Sequence, residues 1–300
     1  MTIQTFSWPD KPGVPIYVYR LDQNHEVISG NKLYKLQPWL QKAKAQNVAL
    51  LSCGGAYSNH LHALAYAGQQ QGLSIYGLVR GLEQDNLTVT LRDCKKFGMK
   101  LIKVSREEYR QRYTADFVTR YLEGLNEAAL WVPEGGTDDQ AVVACEQIGQ
   151  HLNQLLKVND FTSVWLAVGS GGTVAGVARS LSIELPLYAV PVMRNWQDVR
   201  QRVERFLTPQ QCARIRWVKH ADYGGFGRYN QESLQFHNEL EQVSGIEFDP
   251  VYTAKVMRRM LEMVVNGEVS DTAPLLVHTG GLQGRRSIIT SLAGAWSDAF

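Results

Sequence analysis

Between Val48 and Met193, short unbroken apolar runs alternate with longer amphipathic stretches, and glycine-rich turns follow several of the runs. A run such as VALLS at 48–52 or SVWLAV at 163–168 offers no polar face, so as a strand it has to be covered on both sides. Parallel sheets with helices packed on either face meet that demand. The periodicity predicts a strand over 16–21, a helix over 31–46, a strand over 48–52, a helix ending near 71, a strand over 73–79 and a helix over 87–97. It continues with a strand over 99–104, helices across 106–126, a strand over 129–133, a helix over 138–157, a strand over 163–168, a helix over 173–182 and a strand over 187–193. An α/β architecture follows. No Pro/Ser linker or low-complexity run separates two beads, so two domains in 300 residues would be packed lobes with the chain crossing between them.

Open parallel sheets bind ligands beyond the carboxyl ends of their strands, where glycine-rich turns cluster here. Five stand out: Gly54-Gly55 ahead of Ser58-Asn59, Gly135-Gly136, Gly169 to Thr173, Gly224 to Gly227, and Gly280-Gly281. Each alone also fits a plain tight turn. The third, Gly169-Ser170-Gly171-Gly172-Thr173, leads from an apolar strand into a helix, so several backbone N–H groups face outward at the positive end of the helix dipole. That is an anion site, with hydroxyls from Ser170 and Thr173. Val174 stands where a dinucleotide fingerprint needs glycine, no acid ends the strand at 187–193, and no Gly-Lys dipeptide marks a P-loop.

The stretch Ser29-Gly30-Asn31-Lys32-Leu33-Tyr34-Lys35-Leu36 places a lysine in the first turn of a predicted helix. The helix dipole disfavours a cation there by about 0.3–1 kcal/mol. That field, with Lys35 three residues on, lowers an amine's pKa and favours the neutral nucleophile that condenses with carbonyls. The octapeptide by itself also fits a solvated helix face. A phosphate nest without nucleotide signatures, beside a candidate activated lysine, points to pyridoxal 5′-phosphate (PLP).

Composition narrows the partners. Formal net charge is +2 with acids and bases interspersed, which suggests neither a nucleic-acid nor a membrane surface. A small-molecule substrate is the expectation. No apolar run approaches about 18 residues, and MTIQTFSWPDKPG lacks the marks of a signal peptide, so a cytoplasmic location is expected. Cys53, Cys94, Cys145 and Cys212 form no C-x-x-C pair, and the histidines give one close pair, His60 and His62, without H-E-x-x-H, so neither a disulfide framework nor a metal site is expected.

Seven motifs in order, SGNKLYKL, GGAYSNHLHALA, VPEGGT, GSGGTVAG, DYGGFGRY, DPVYTAK and HTGGLQG, resemble the fold-type-II PLP enzymes of the D-cysteine desulfhydrase and 1-aminocyclopropane-1-carboxylate (ACC) deaminase family. The resemblance spans about residues 16–284. It implies a tryptophan synthase β-like architecture of two packed α/β lobes, the larger from 1–42 and 143–300, the smaller from 43–142, assembled as a homodimer. Lys32 would carry the cofactor. Gly169, Ser170, Gly171, Gly172 and Thr173 would hold its phosphate. Ser58 and Asn59 would meet the substrate, Ser58 also as a catalytic residue, Asn59 also the cofactor's phenolic oxygen, and His60 the substrate carboxylate. Tyr223 and Tyr252 would flank the substrate in catalytic positions, with Thr253 and Thr279 beside the pyridine ring. ACC deaminases carry glutamate where this chain has Thr253 and usually leucine where it has Thr279, which resembles the desulfhydrase side. Tyr34 and Tyr57 replace a basic residue and a glutamine usual in the family. The implied function is α,β-elimination from a small amino acid, giving a 2-oxo acid and ammonia. ACC deamination, PLP binding without turnover, and a nucleotide-linked oxidoreductase weakened by Val174 are the alternatives.

Overall fold

A computed structural model of the chain describes residues 2–286 apart from 84, 183, 184, 195, 226, 228 and 229. Phe226, Arg228 and Tyr229 of the DYGGFGRY motif, and the last residues assigned above to the larger lobe, lie outside the described residues. In chain order the elements are β1 (Ile3–Trp8), β2 (Lys11–Tyr19), α1 (Asn31–Gln46), β3 (Ala49–Gly54), α2 (Asn59–Gln71), β4 (Ile75–Arg80), α3 (Val89–Lys96), β5 (Lys100–Val104), α4 (Arg106–Arg110), α5 (Ala115–Glu123) and β6 (Ala129–Val132). They continue with α6 (Asp139–Leu156), β7 (Ser163–Val168), α7 (Gly172–Ser180), β8 (Leu187–Pro191), α8 (Trp196–Glu204), α9 (Pro209–Ala213), β9 (Ile215–Trp217), α10 (Gln231–Ser244), α11 (Thr253–Val265) and β10 (Pro274–Val277). The chain divides into two compact units, residues 1–31 with 142–282 and residues 32–141 with 283–300.

The first unit holds a six-stranded sheet in the order β1-β2-β10-β7-β8-β9. Its strands pair in parallel except at one edge, where β1 and β2 form an antiparallel hairpin. β7 is buried along its whole length, as its unbroken apolar sequence requires. β1 was not anticipated. Its apolar residues alternate, Phe6 and Trp8 buried and Thr5 and Ser7 exposed, which is the pattern of an edge strand with one covered face. Phe6 and Trp8 pack with Leu240, Phe248, Met257 and Met260 from α10, α11 and the segment between them. Each such side chain contributes about 1.5–3 kcal/mol on full burial.

The second unit holds an all-parallel sheet, β5-β4-β3-β6. β3 is buried throughout and carries one polar side chain at its centre, Ser52, whose Oγ donates to the Val132 carbonyl of neighbouring β6 at 2.8 Å. Helix α1 belongs to this unit, whereas the sequence reading set the lobe boundary at 42. Its inward face explains the grouping: Lys35 is buried and its Nζ donates to Thr137 Oγ1 at 2.6 Å.

Candidate active site

Within the first unit, the carboxyl ends of β2 and β10 open onto a buried polar network. Arg20 donates two hydrogen bonds to the Asp22 carboxylate, at 2.9 and 2.7 Å. His278 shares its Nε2 proton with the Glu247 carbonyl at 2.9 Å, while its Nδ1 accepts from the Gly280 amide at 3.3 Å. Asp22 Oδ1 also lies 3.5 Å from that Nδ1, and burial outweighs the pull of this carboxylate, holding the ring's pKa below the usual histidine range.

This network carries the turn from 279 to 281, which packs backbone to backbone against the turn from 29 to 31. Gly30 has φ +74°, and a Cβ there would run into the Thr279 carbonyl. Asn24 clamps Gly30 from the other side, accepting from its amide at 2.8 Å and donating to its carbonyl at 3.0 Å. Asn31 N donates to the Thr279 carbonyl at 3.2 Å, and Lys32 follows as the second residue of α1.

The β7–α7 turn has the geometry expected of an anion cradle. Gly171, at φ +93°, precedes α7 without any side-chain cap, so the leading amides of that helix are not taken by a capping residue. Asn31 Nδ2 donates to Thr173 Oγ1 at 2.9 Å. Tyr252 lies over the start of the turn: a Cβ on Gly169 would sit 3.1 Å from its Cε1 and 3.7 Å from its hydroxyl.

Tyr223 is placed differently. Its hydroxyl donates to Glu262 Oε2 at 2.8 Å, its face lies 4.3 Å from the Arg258 guanidinium carbon, and burial beside that carboxylate pushes its pKa up. The two threonines also separate. Thr253 is fully buried and its Oγ1 is spent on Asp249, accepting from the amide at 3.0 Å and donating to the carbonyl at 3.3 Å. The Thr279 hydroxyl has no hydrogen-bond partner among the described residues.

Within the second unit, Ser58 caps α2 by accepting from Leu61 N at 3.2 Å, and a Cβ on Gly54 would lie 2.6 Å from its Oγ. Asn59 is therefore the first helical residue and not the cap. Its Oδ1 is buried with no partner among the described residues.

His60 is 4% exposed, and its ring faces Ser52, with Nε2 2.8 Å from Oγ. Because Ser52 gives its own proton to Val132, His60 supplies the proton between them, leaving Nδ1 as a bare acceptor that is buried and unpartnered among the described residues. Burial first, then the charges of Lys32 and Lys35, hold its pKa well below the ordinary value. A neutral ring with only a lone pair to offer is a poor partner for a carboxylate, which counts against the role expected of His60.

Ser52, Thr137 and Asn31 went unassigned in the sequence, and Lys35 was read there only as a neighbouring charge. Thr137 closes the VPEGGT motif and Asn31 sits inside SGNKLYKL, so position in a motif could have found both. Ser52, inside an apolar strand, left no such signal. Among the described residues no group of His, Cys, Asp and Glu is arranged to hold a metal ion.

Comparison with known proteins agrees with this geometry. The model of the pyridoxal-phosphate dependent enzymes matches residues 3–280. A provisionally named 1-aminocyclopropane-1-carboxylate deaminase of Thermotoga maritima is 32% identical over 291 residues, covering 92% of this chain and 91% of the relative. A D-cysteine desulfhydrase of Serratia proteamaculans is 28% identical over 291 residues, covering 91% and 88%. Among solved structures, an ACC deaminase homologue superposes with a TM-score of 0.79 at 22% identity, covering 94% of this chain and 90% of that one. The chain belongs to the pyridoxal-phosphate dependent enzymes. Its α/β fold is that of fold type II and its cofactor is PLP, which the uncapped α7 terminus and its glycine cradle fit.

Proposed function

We propose that the enzyme removes the amine and a β-substituent from a small amino acid, as a D-cysteine desulfhydrase does, releasing a 2-oxo acid and ammonia. The observation that carries this reading is the neutral pair Thr253 and Thr279 at positions where the resemblance puts the ring's neighbours. An anion beside a pyridine nitrogen keeps it protonated and strengthens its pull on electrons; a hydroxyl does not. Thr279, with an uncommitted hydroxyl, suits the ring nitrogen better than Thr253.

PLP, when bound, supplies the electron sink for a carbanion at the substrate's α-carbon. Lys32 would carry it, and the turn from Gly169 to Thr173 would hold the phosphate. The Lys32 amine, set free when the substrate's amine takes its place on the cofactor, would be the group to take the α-proton. The bond from the β-carbon to a thiol, hydroxyl or chloride then breaks with its electron pair on the leaving group, and water hydrolyses the released enamine to 2-oxo acid and ammonia. Ser58 and Asn59 meet the substrate, and the Tyr252 hydroxyl is the second acid–base candidate. Tyr223 holds its neighbours in place and takes no proton.

ACC deamination is the second reading, favoured by the provisional name of the Thermotoga relative. A cytoplasmic homodimer is proposed on the family resemblance. No helix among the described residues is long and apolar enough to cross a membrane. Pyruvate and ammonia release from a panel of D- and L-amino acids with β leaving groups tests the main reading. Equimolar release from at least one member is expected, and cofactor binding without any turnover across the panel overturns it in favour of a non-catalytic PLP protein.

A further inference from the structure

The hydrogen bond between Asn31 and Thr173 does more than join two turns. A threonine hydroxyl has one proton and two lone pairs. Asn31 Nδ2 donates into Oγ1 at 2.9 Å, so it occupies a lone pair and leaves the proton unspent. Thr173 is 5% exposed and its proton has no acceptor among the described residues. A helical threonine often returns this proton to the carbonyl one turn back. Here it stays available at the start of α7, where the leading amides have no capping side chain.

Asn31 is itself held firmly. Its amide is tied to the Thr279 carbonyl, and the preceding Gly30 is gripped at both its amide and its carbonyl by Asn24. An amide mounted this rigidly costs little entropy to keep aimed. The residue after it is Lys32.

We propose that Asn31 is a positioning residue that turns the Thr173 hydroxyl into a phosphate donor. The inference rests on the reading that the Gly169–Thr173 turn holds the cofactor's phosphate. It goes beyond that reading by naming what orients one of the donors. Asn31→Asp is the sharpest change, because it keeps the shape and reverses the hydrogen bond. A carboxylate accepts the Thr173 proton, withdraws it from the phosphate and adds a negative charge nearby.

The test compares binding of PLP and of pyridoxal, which lacks the phosphate, to the full chain stripped of cofactor, by absorbance titration. The variants are Asn31→Asp, Asn31→Ala, Thr173→Val and the Asn31→Ala/Thr173→Val double, each with its melting temperature. A hydrogen bond to a charged group is worth about tenfold in affinity or more. Thr173→Val and Asn31→Asp should each weaken PLP by about that factor while changing pyridoxal by less than about twofold. The double variant should be no weaker than Thr173→Val alone, since Asn31 acts through that hydroxyl. Should Asn31→Asp fold poorly, Asn31→Ala carries the same comparison with a smaller loss. Retained phosphate preference in the Asn31 variants, with loss in Thr173→Val, overturns the role of Asn31 and leaves the phosphate reading standing. Retained preference in Thr173→Val removes this hydroxyl from the phosphate site, and the inference falls with it.

Discussion

Lys32 and Lys35 are three residues apart in one motif, and their surroundings separate them. Lys35 is buried with Nζ on Thr137 Oγ1, whereas Lys32 follows a backbone pinned to Thr279. Borohydride reduction of the holoenzyme followed by peptide mapping should label Lys32; label on Lys35 refutes the assignment. The proton state of His60 was not legible in the sequence, because its proton is fixed by Ser52, which is fixed in turn by Val132, 80 positions along the chain. The consequence reaches stability. A histidine whose folded pKa is depressed is neutral in both states above its unfolded pKa near 6.5, so stability is full there. As pH falls below about 6.5 the unfolded chain takes up the proton first, and stability drops by up to about 1.4 kcal/mol per pH unit until the folded pKa is reached. Urea unfolding of the cofactor-free chain between pH 7.5 and 5.5, roughly the window in which an unperturbed histidine titrates, should show a shallower slope in His60→Asn than in the parent. Equal slopes would mean that His60 titrates normally.

Elements with strong periodicity were legible almost to the residue. The helix expected over 31–46 is α1 at Asn31–Gln46, and the strand expected over 163–168 is β7 at Ser163–Val168. Several elements escaped: β1 has one apolar face, β9 is three residues long, α8 buries only Val199 and Val203, and α10, α11 and β10 lie beyond residue 193, where the alternation of apolar runs and helices was followed no further. Helix α11 shows what motif order cannot supply. Tyr223 and Tyr252 look equivalent in the sequence, yet α11 sorts them, with Tyr252 at its N-terminus over Gly169 and Glu262, the partner of Tyr223, about 14 Å further along the axis. Tyr223→Phe should therefore lower stability by about 1–2 kcal/mol, since Glu262 loses one donor and keeps Arg258 at 3.0 Å, while kcat/KM stays within about threefold of the parent. A hundredfold loss of turnover (about 2.7 kcal/mol) at an unchanged melting temperature would restore Tyr223 to the chemistry.

At the scale of the whole molecule, alternation of apolar runs and helices was enough to read an α/β chain, because parallel strands buried on both faces leave few other solutions. It could not read reaction choice, which depends on the charge that the folded chain gathers around one ring nitrogen. Thr253 marked the choice in the sequence, but its hydroxyl is closed off on Asp249, so Thr253→Glu would break two hydrogen bonds and place a carboxylate at a fully buried position. That variant tests folding more than chemistry. The parent enzyme gives the cleaner comparison. On the proposal that neutral Thr279 is the ring's neighbour, carbanion stabilisation is modest and turnover depends on a good leaving group at the β-carbon. Pyruvate release from β-chloroalanine or D-cysteine should exceed 2-oxobutyrate release from ACC by at least about a hundredfold, equivalent to roughly 2.7 kcal/mol of barrier. Opening an unactivated cyclopropane bond draws on a protonated ring that these residues do not enforce. If 2-oxobutyrate from ACC forms as fast as pyruvate from β-chloroalanine under one set of conditions, the enzyme is an ACC deaminase working without the glutamate. The electrostatic account of how this site selects its reaction would then be wrong, because a neutral hydroxyl would be supporting the harder bond cleavage.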